Sequence, residues 1–191
     1  MANPKHVAVL VGSLRKESFN RKMALALARM ASPGLALEIV EIGNLPLYNQ
    51  DLDPDSPPAE WVAFRKRVAA ADAVLFITPE YNRSVPGVLK NAIDVGSRPY
   101  GKSVWSKKPC AVMSVSPGAI GGYGANHHLR QSLVFLDMPA MQQPEAYIGG
   151  ADKLFAADGS IANETTKGFL EKFLSAFEHW ITRNAVPAAS T

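Results

Sequence analysis

The run Val7-Ala8-Val9-Leu10-Val11, broken at once by Gly12-Ser13, constrains the fold more than any other stretch. Continuous apolar residues, mostly β-branched, describe a strand buried on both faces, as in parallel sheets covered by helices. From Asn20 the period becomes helical, with Met23, Leu27 and Met30 on one face. Strand, polar loop and helix in succession make the first half of a βαβ unit. The loop between them carries Ser13, Arg15, Ser18 and Asn20 directly before the helix N-terminus. Free backbone amides and the positive end of the helix dipole favour an anion there, and hydroxyl, amide and guanidinium donors suit phosphate oxygens.

Two phosphate-binding loop types are excluded. Gly12 is the only glycine of the loop, so G-x-G-x-x-G is missing, and so is G-x-x-x-x-G-K-[ST]. A loop rich in hydroxyls with one Arg is the kind a flavodoxin-like fold uses for the terminal phosphate of FMN. The same residues also read as a polar βα turn with Ser18 or Asn20 as helix cap.

The rest of the chain repeats the alternation. Leu35, Leu37 and Ile39 mark a second strand, and Trp61, Phe64 and Val68 stripe a second helix after Pro57-Pro58. Between them, Asp51-x-Asp53-x-Asp55 imitates a calcium loop, but Ser56 and Val62 stand where Gly and Glu are needed. The expectation is therefore a solvated acidic loop and no metal site. Val74 to Ile77 is a third buried strand, followed by the polar loop Pro79 to Pro86 and a helix with Val88, Leu89, Ala92 and Ile93. Lys107 to Ser116 reads as the fourth strand, and Gly118 to Gly124 holds four glycines in seven residues. A fourth helix spans roughly Ala125 to Leu136, with His127 and His128 in its first turn pointing in different directions. A fifth strand is expected over Ala140 to Ile148. The last helix carries Phe169, Phe173, Phe177 and Trp180 and is capped by Asn163 or Thr165.

Five strands alternating with helices predict an α/β fold, a flavodoxin-like doubly wound five-stranded parallel sheet of order 2-1-3-4-5 with helices on both faces. One domain over 1–185 and a flexible tail over 186–191 are expected. In that order the first and third strands are neighbours, so the Ser13–Asn20 and Pro79–Pro86 loops face each other across the switch point. The loop after the fourth strand borders the same crevice.

Net charge is only +3, from 20 basic and 17 acidic residues, which does not suggest nucleic acid as a partner. No apolar run reaches the length of a membrane span, and no signal-peptide layout opens the chain. With Cys110 as the single cysteine, placed in an apolar strand, the expected location is cytoplasmic.

Three ordered motifs resemble the NADPH-dependent FMN reductase family, in particular its bacterial chromate/quinone reductase branch. They are Gly12-Ser13-Leu14-Arg15-Lys16-x-Ser18-Phe19-Asn20, Pro79-Glu80-Tyr81-Asn82, and Ser84-Val85-Pro86-Gly87-Val88-Leu89-Lys90-Asn91-Ala92-Ile93-Asp94. Ile120-Gly121-Gly122 and His128-Leu129-Arg130-Gln131 extend the likeness over nearly the whole chain. The resemblance implies that Ser13, Arg15, Ser18 and Asn20 hold the FMN phosphate. It implies that Pro79, Glu80, Tyr81 and Asn82 flank the isoalloxazine and ribityl chain, largely through backbone groups. Ser116, Gly118 and Gly121 would border the other edge of the ring.

The implied activity is two-electron reduction of quinones and related acceptors (chromate, azo or nitro compounds) by ping-pong hydride transfer through FMN. NADPH or NADH is the co-substrate, and no side chain acts as a catalytic acid or base because the chemistry is the flavin's. Members of the family form homodimers or homotetramers. The rival reading is a flavodoxin-type FMN electron carrier without strong NAD(P)H activity. This chain departs from the family pattern at Glu17, at Arg83 and over 95–105, which bears on the phosphate loop, substrate range and pocket rim.

Overall fold

The computed structural model describes residues 3–54 and 56–185; the tail expected over 186–191 lies outside the described residues. The strands are β1 (Lys5–Val11), β2 (Leu35–Ile39), β3 (Ala73–Thr78), β4 (Cys110–Val115) and β5 (Ala146–Ile148). The helices are α1 (Phe19–Met30), α2 (Ala59–Ala70), α3 (Gly87–Gly96), α4 (Tyr123–Phe135) and α5 (Glu164–Arg183). The strands form one parallel sheet of order β2-β1-β3-β4-β5. This is the flavodoxin-like order anticipated from the sequence.

Two-sided burial explains the unbroken apolar strands. Val7, Val9 and Val11 of β1 enter one core with Leu75 and Ile77 of β3, Met23 and Leu27 of α1, and Phe173 and Phe177 of α5. Ala8 and Leu10 enter the other, with Val74, Phe76, Trp61, Leu89 and Leu129. Alternate side chains point to opposite faces, so each strand needs apolar residues at both parities.

Two strand expectations change. β4 begins at Cys110 rather than Lys107, because Lys107 is left-handed (φ 61°) and the Lys108 amide turns back to the Trp105 carbonyl. A left-handed residue cannot extend a strand ladder. β5 has only three residues; Ala140 forms a lone bridge with Cys110, and Pro144, which has no amide hydrogen, interrupts the path to Ala146.

The acidic loop is also not what its composition suggests. Asp53 is buried, and both its oxygens accept from Arg65 of α2, at 2.7 and 2.8 Å. Arg65 further donates through Nε to the Val95 carbonyl at the end of α3. Tyr48 donates its hydroxyl to Asp53 and its amide to Asn91 of α3. A buried ion pair thus ties the segment after β2 onto α2 and α3.

Candidate functional site

Three loops leave the carboxyl ends of β1, β3 and β4, where an open parallel sheet places ligands. The first, residues 12–18, ends in the α1 cap: the Ser18 hydroxyl oxygen accepts from the Arg21 amide at 3.2 Å. Its hydrogen remains a donor, since a hydroxyl both donates and accepts. Ser18 is buried, Ser13 half-buried, and Arg15 exposed and in none of the ion pairs among the described residues. Glu17 turns aside to Lys22 at 2.7 Å and is exposed, so its carboxylate is neutralised outside the loop.

Asn20 is buried and donates its side-chain amide to the Val115 carbonyl, at 3.2 Å, where β4 ends. The β1 loop is therefore fastened to the β4 loop. The Oδ1 of Asn20 is buried without a hydrogen-bond partner among the described residues. Such an orphan acceptor is costly unless a donor comes to it.

The β3 loop carries Pro79, Glu80, Tyr81 and Asn82. Tyr81 and Ser84 exchange both backbone hydrogen bonds, and Asn82 and Arg83 between them have φ of 51° and 63°. This is a two-residue turn of the primed type, stiff by construction. Tyr81 and Asn82 are exposed at the tip, while Pro79 and Glu80 are half-buried at the base. Gly12 brings this base against the β1 loop. A Cβ at Gly12 would lie 3.1 Å from Leu89, 3.2 Å from Pro79 and 3.3 Å from Thr78.

The β4 loop holds Ser116, Gly118 and Gly121. Ser116 accepts the Gly118 amide on its hydroxyl at 3.2 Å and passes its carbonyl to the Ala151 amide. Gly118 is exposed; Gly121 is buried with φ of 65°, and a Cβ there would strike the Tyr147 backbone at 2.6 Å. The residues expected on the β1, β3 and β4 loops thus gather at one end of the sheet, with Gly12 and Asn20 joining the loops. The motif spacing did not reveal that Asn20 reaches β4, because the partner is a backbone carbonyl 95 residues away.

The two histidines separate as helical geometry requires. His127 meets the Tyr147 hydroxyl at 2.8 Å, and His128 meets the Ser84 hydroxyl at 2.7 Å. Burial pushes the Cys110 thiol up to about 12. It is fully buried in β4, which makes it an inert core group.

Comparison with known proteins is consistent across sequence and structure. Residues 6–153 match the family model described as NADPH-dependent FMN reductase. A quinone reductase of Pseudomonas putida is 63% identical over 184 residues, covering 96% of this chain and 98% of that one. A 2-hydroxy-1,4-benzoquinone reductase of a Burkholderia species is 47% identical over 175 residues, covering 92% and 95%. The solved structure of FerB, a flavoenzyme NAD(P)H:(acceptor) oxidoreductase of Paracoccus denitrificans, superposes with a TM-score of 0.90 at 46% identity, covering 95% of this chain and 100% of that one. The chain belongs to the NADPH-dependent FMN reductase family.

Proposed function

We propose that this protein is an FMN-dependent NAD(P)H oxidoreductase that reduces quinones by two electrons. The observation that carries the reading is an orphan acceptor, Asn20 Oδ1, where the first helix meets the end of β4, at the end of the sheet from which all three loops leave. That atom needs a donor, and an ionised phosphate has none to give; the hydroxyls of a ribityl chain do. In this reading Asn20, expected from the motif at the phosphate, serves the ribityl chain instead, while Ser13, Arg15, the Ser18 hydroxyl and the free amides of the first α1 turn take the phosphate. Pro79, Glu80, Tyr81 and Asn82 form one wall of the ring site, and Ser116, Gly118 and Gly121 the other. When bound, FMN supplies the redox chemistry, taking hydride from NAD(P)H and delivering two electrons to the acceptor. The chain's part is to bind and orient: exposed Tyr81 and Asn82 leave one side open to both substrates in turn.

Related acceptors such as chromate, azo and nitro compounds suit the same open face. A homodimer or homotetramer is supported by Val134 and Phe135 on α4, each nearly four-fifths exposed. One domain over 1–185 is supported by the single sheet and by α5 packing into the core shared with β1 and β3. No helix among the described residues is long and apolar enough to cross a membrane. A cytoplasmic location is supported by the buried, unpaired thiol of Cys110.

The reading is tested by visible absorption of the purified protein during anaerobic NADPH addition. A flavin band that bleaches in one two-electron step and returns with a quinone is expected. A band that stays oxidised would replace the reductase with a carrier. Arg15→Ala should weaken FMN binding by about 1.5–3 kcal/mol, the range for a hydrogen bond to a charged group. Titration by flavin fluorescence checks this, and an unchanged dissociation constant removes Arg15 from the phosphate site.

A further inference from the structure

Helix α4 begins without a side-chain cap of its own. Its N-cap is Gly122, left-handed at φ 76°. A Cβ there would lie 3.0 Å from the Ser114 Cβ, so no capping Ser or Asp is accommodated at that position without strain. The cap comes instead from across the site. Glu80, at the base of the β3 loop, accepts the Ala125 amide on Oε2 at 3.0 Å. Its side chain is only 14% exposed, and its Oε1 lies 3.4 Å from the Arg83 guanidinium. A carboxylate at a helix N-terminus satisfies an amide that has no intrahelical partner and is favoured by the helix dipole.

The surroundings are shaped to let this bond form. A Cβ at Gly124 would approach Glu80 Oε2 to 2.9 Å and the Arg83 carbonyl to 3.2 Å. A Cβ at Gly122 would lie 3.7 Å from the Glu80 Cβ. The glycines at the start of α4 thus admit the side chain of the β3 loop. Two side chains of that loop reach α4: Ser84 meets His128 in its second turn, and Glu80 alone takes an amide of its first turn.

We propose that Glu80 is a positioning residue: its carboxylate latches the β3 loop to the first turn of α4 and fixes the separation of the two walls that hold the isoalloxazine ring. This rests on the FMN reading above. Under it, the latch acts at the ring end of the cofactor, whereas Arg15 acts at the phosphate end. The two ends can be separated by comparing FMN with riboflavin, which has the ring and ribityl chain but no phosphate.

The experiment uses the full chain without cofactor, as wild type, Glu80→Ala, Glu80→Gln and Arg15→Ala. Amide hydrogen exchange at Ala125 is followed by NMR, and dissociation constants for FMN and riboflavin by fluorescence. In Glu80→Ala, exchange at Ala125 is expected to accelerate about ten-fold or more, the usual consequence of a lost cap, with β1 and β3 amides unchanged. Affinity for FMN and for riboflavin should fall by the same factor, on the order of ten-fold. Glu80→Gln keeps an acceptor oxygen and should restore most of both. Arg15→Ala should weaken FMN alone.

Unchanged exchange at Ala125 in Glu80→Ala overturns the latch. Unchanged riboflavin affinity overturns its role at the ring. A wild-type chain that binds neither flavin overturns the FMN reading instead, and the exchange at Ala125 still reports the latch by itself. Should Glu80→Ala fail to fold, Glu80→Asp keeps the charge and withdraws it by one methylene. Intact Ala125 protection together with full flavin affinity in that variant would also overturn the proposal.

Discussion

Asp53→Ala is expected to lose about 3–5 kcal/mol of folding stability, because it leaves the Arg65 guanidinium buried and unpaired. The side chains are 4% and 13% exposed, and the pair is bidentate, so solvent screens it little. The loss should depend on pH in a definite direction. The Arg65 hydrogen bonds hold the Asp53 carboxyl below the usual carboxylate range, against the opposing effect of burial. A group whose folded value is lowered contributes fully above its unfolded value, about 3.9, and loses that contribution as pH falls through the folded value. Urea unfolding of wild type and Asp53→Ala should therefore show a wide gap at neutral pH that narrows below about pH 4. A gap of constant size down the acid range would mean that the pair is not what the variant removes. The segment anchored by this pair also carries Gly43, which packs on Leu14 of the β1 loop, so a small decrease in flavin affinity should accompany the instability.

Trp105→Ala should cost about 3–5 kcal/mol, the range for removing a large aromatic from a core. Trp105 is fully buried, donates its indole N–H to the Ile93 carbonyl at 2.9 Å, and meets Phe64 and Phe76 at ring separations of 6.0 Å. Its ring lies over Gly96, the last residue of α3. A Cβ at Gly96 would fall 2.4 to 2.6 Å from three atoms of the indole. This gives a companion test with an unusual sign. Replacing a helical glycine by alanine ordinarily stabilises by about 0.5–1 kcal/mol. Gly96→Ala should instead destabilise by about 1–3 kcal/mol, as overpacking does. In a Trp105→Ala background the penalty should vanish, and a penalty that persists there would show that the indole is not its cause.

Sequence patterns revealed the elements well and their long-range partners poorly. Val7 to Val11 and Val74 to Ile77 were legible because a strand covered on both faces has no polar position to disguise it. The α2 stripe of Trp61, Phe64 and Val68 is legible, and the α5 cap is narrowed to Asn163 or Thr165 with Asn163 the one found, because both are local in sequence. The burial of Asp53 is not legible in the sequence, because charge alone does not announce a guanidinium on the next helix. Trp105 lay in a segment of turns with no period to place it, and only the fold shows that Gly96 exists to receive it. The site divides in the same way. Its candidate residues are proposed from motifs, but the bonds that join the loops, Asn20 to Val115 and Glu80 to Ala125, pair a side chain with a distant backbone group. A backbone partner leaves no mark in the sequence.

The pinch at Gly12 and the tie from Asn20 to Val115 have a consequence for the life of the protein in solution. The surface proposed to hold flavin is assembled from residues near 13, 80 and 118, and exists only once β1, β3 and β4 are paired. An unfolded chain therefore offers the cofactor nothing, and whatever binds must bind the native state alone. Ligand present at a hundred times its dissociation constant then adds about 2.7 kcal/mol to stability by mass action. Cofactor supply becomes a folding condition. A chain weakened at Trp105 would persist where flavin is plentiful and be lost to proteolysis where it is scarce, although the damaged residue lies in the core rather than on a loop proposed to hold flavin.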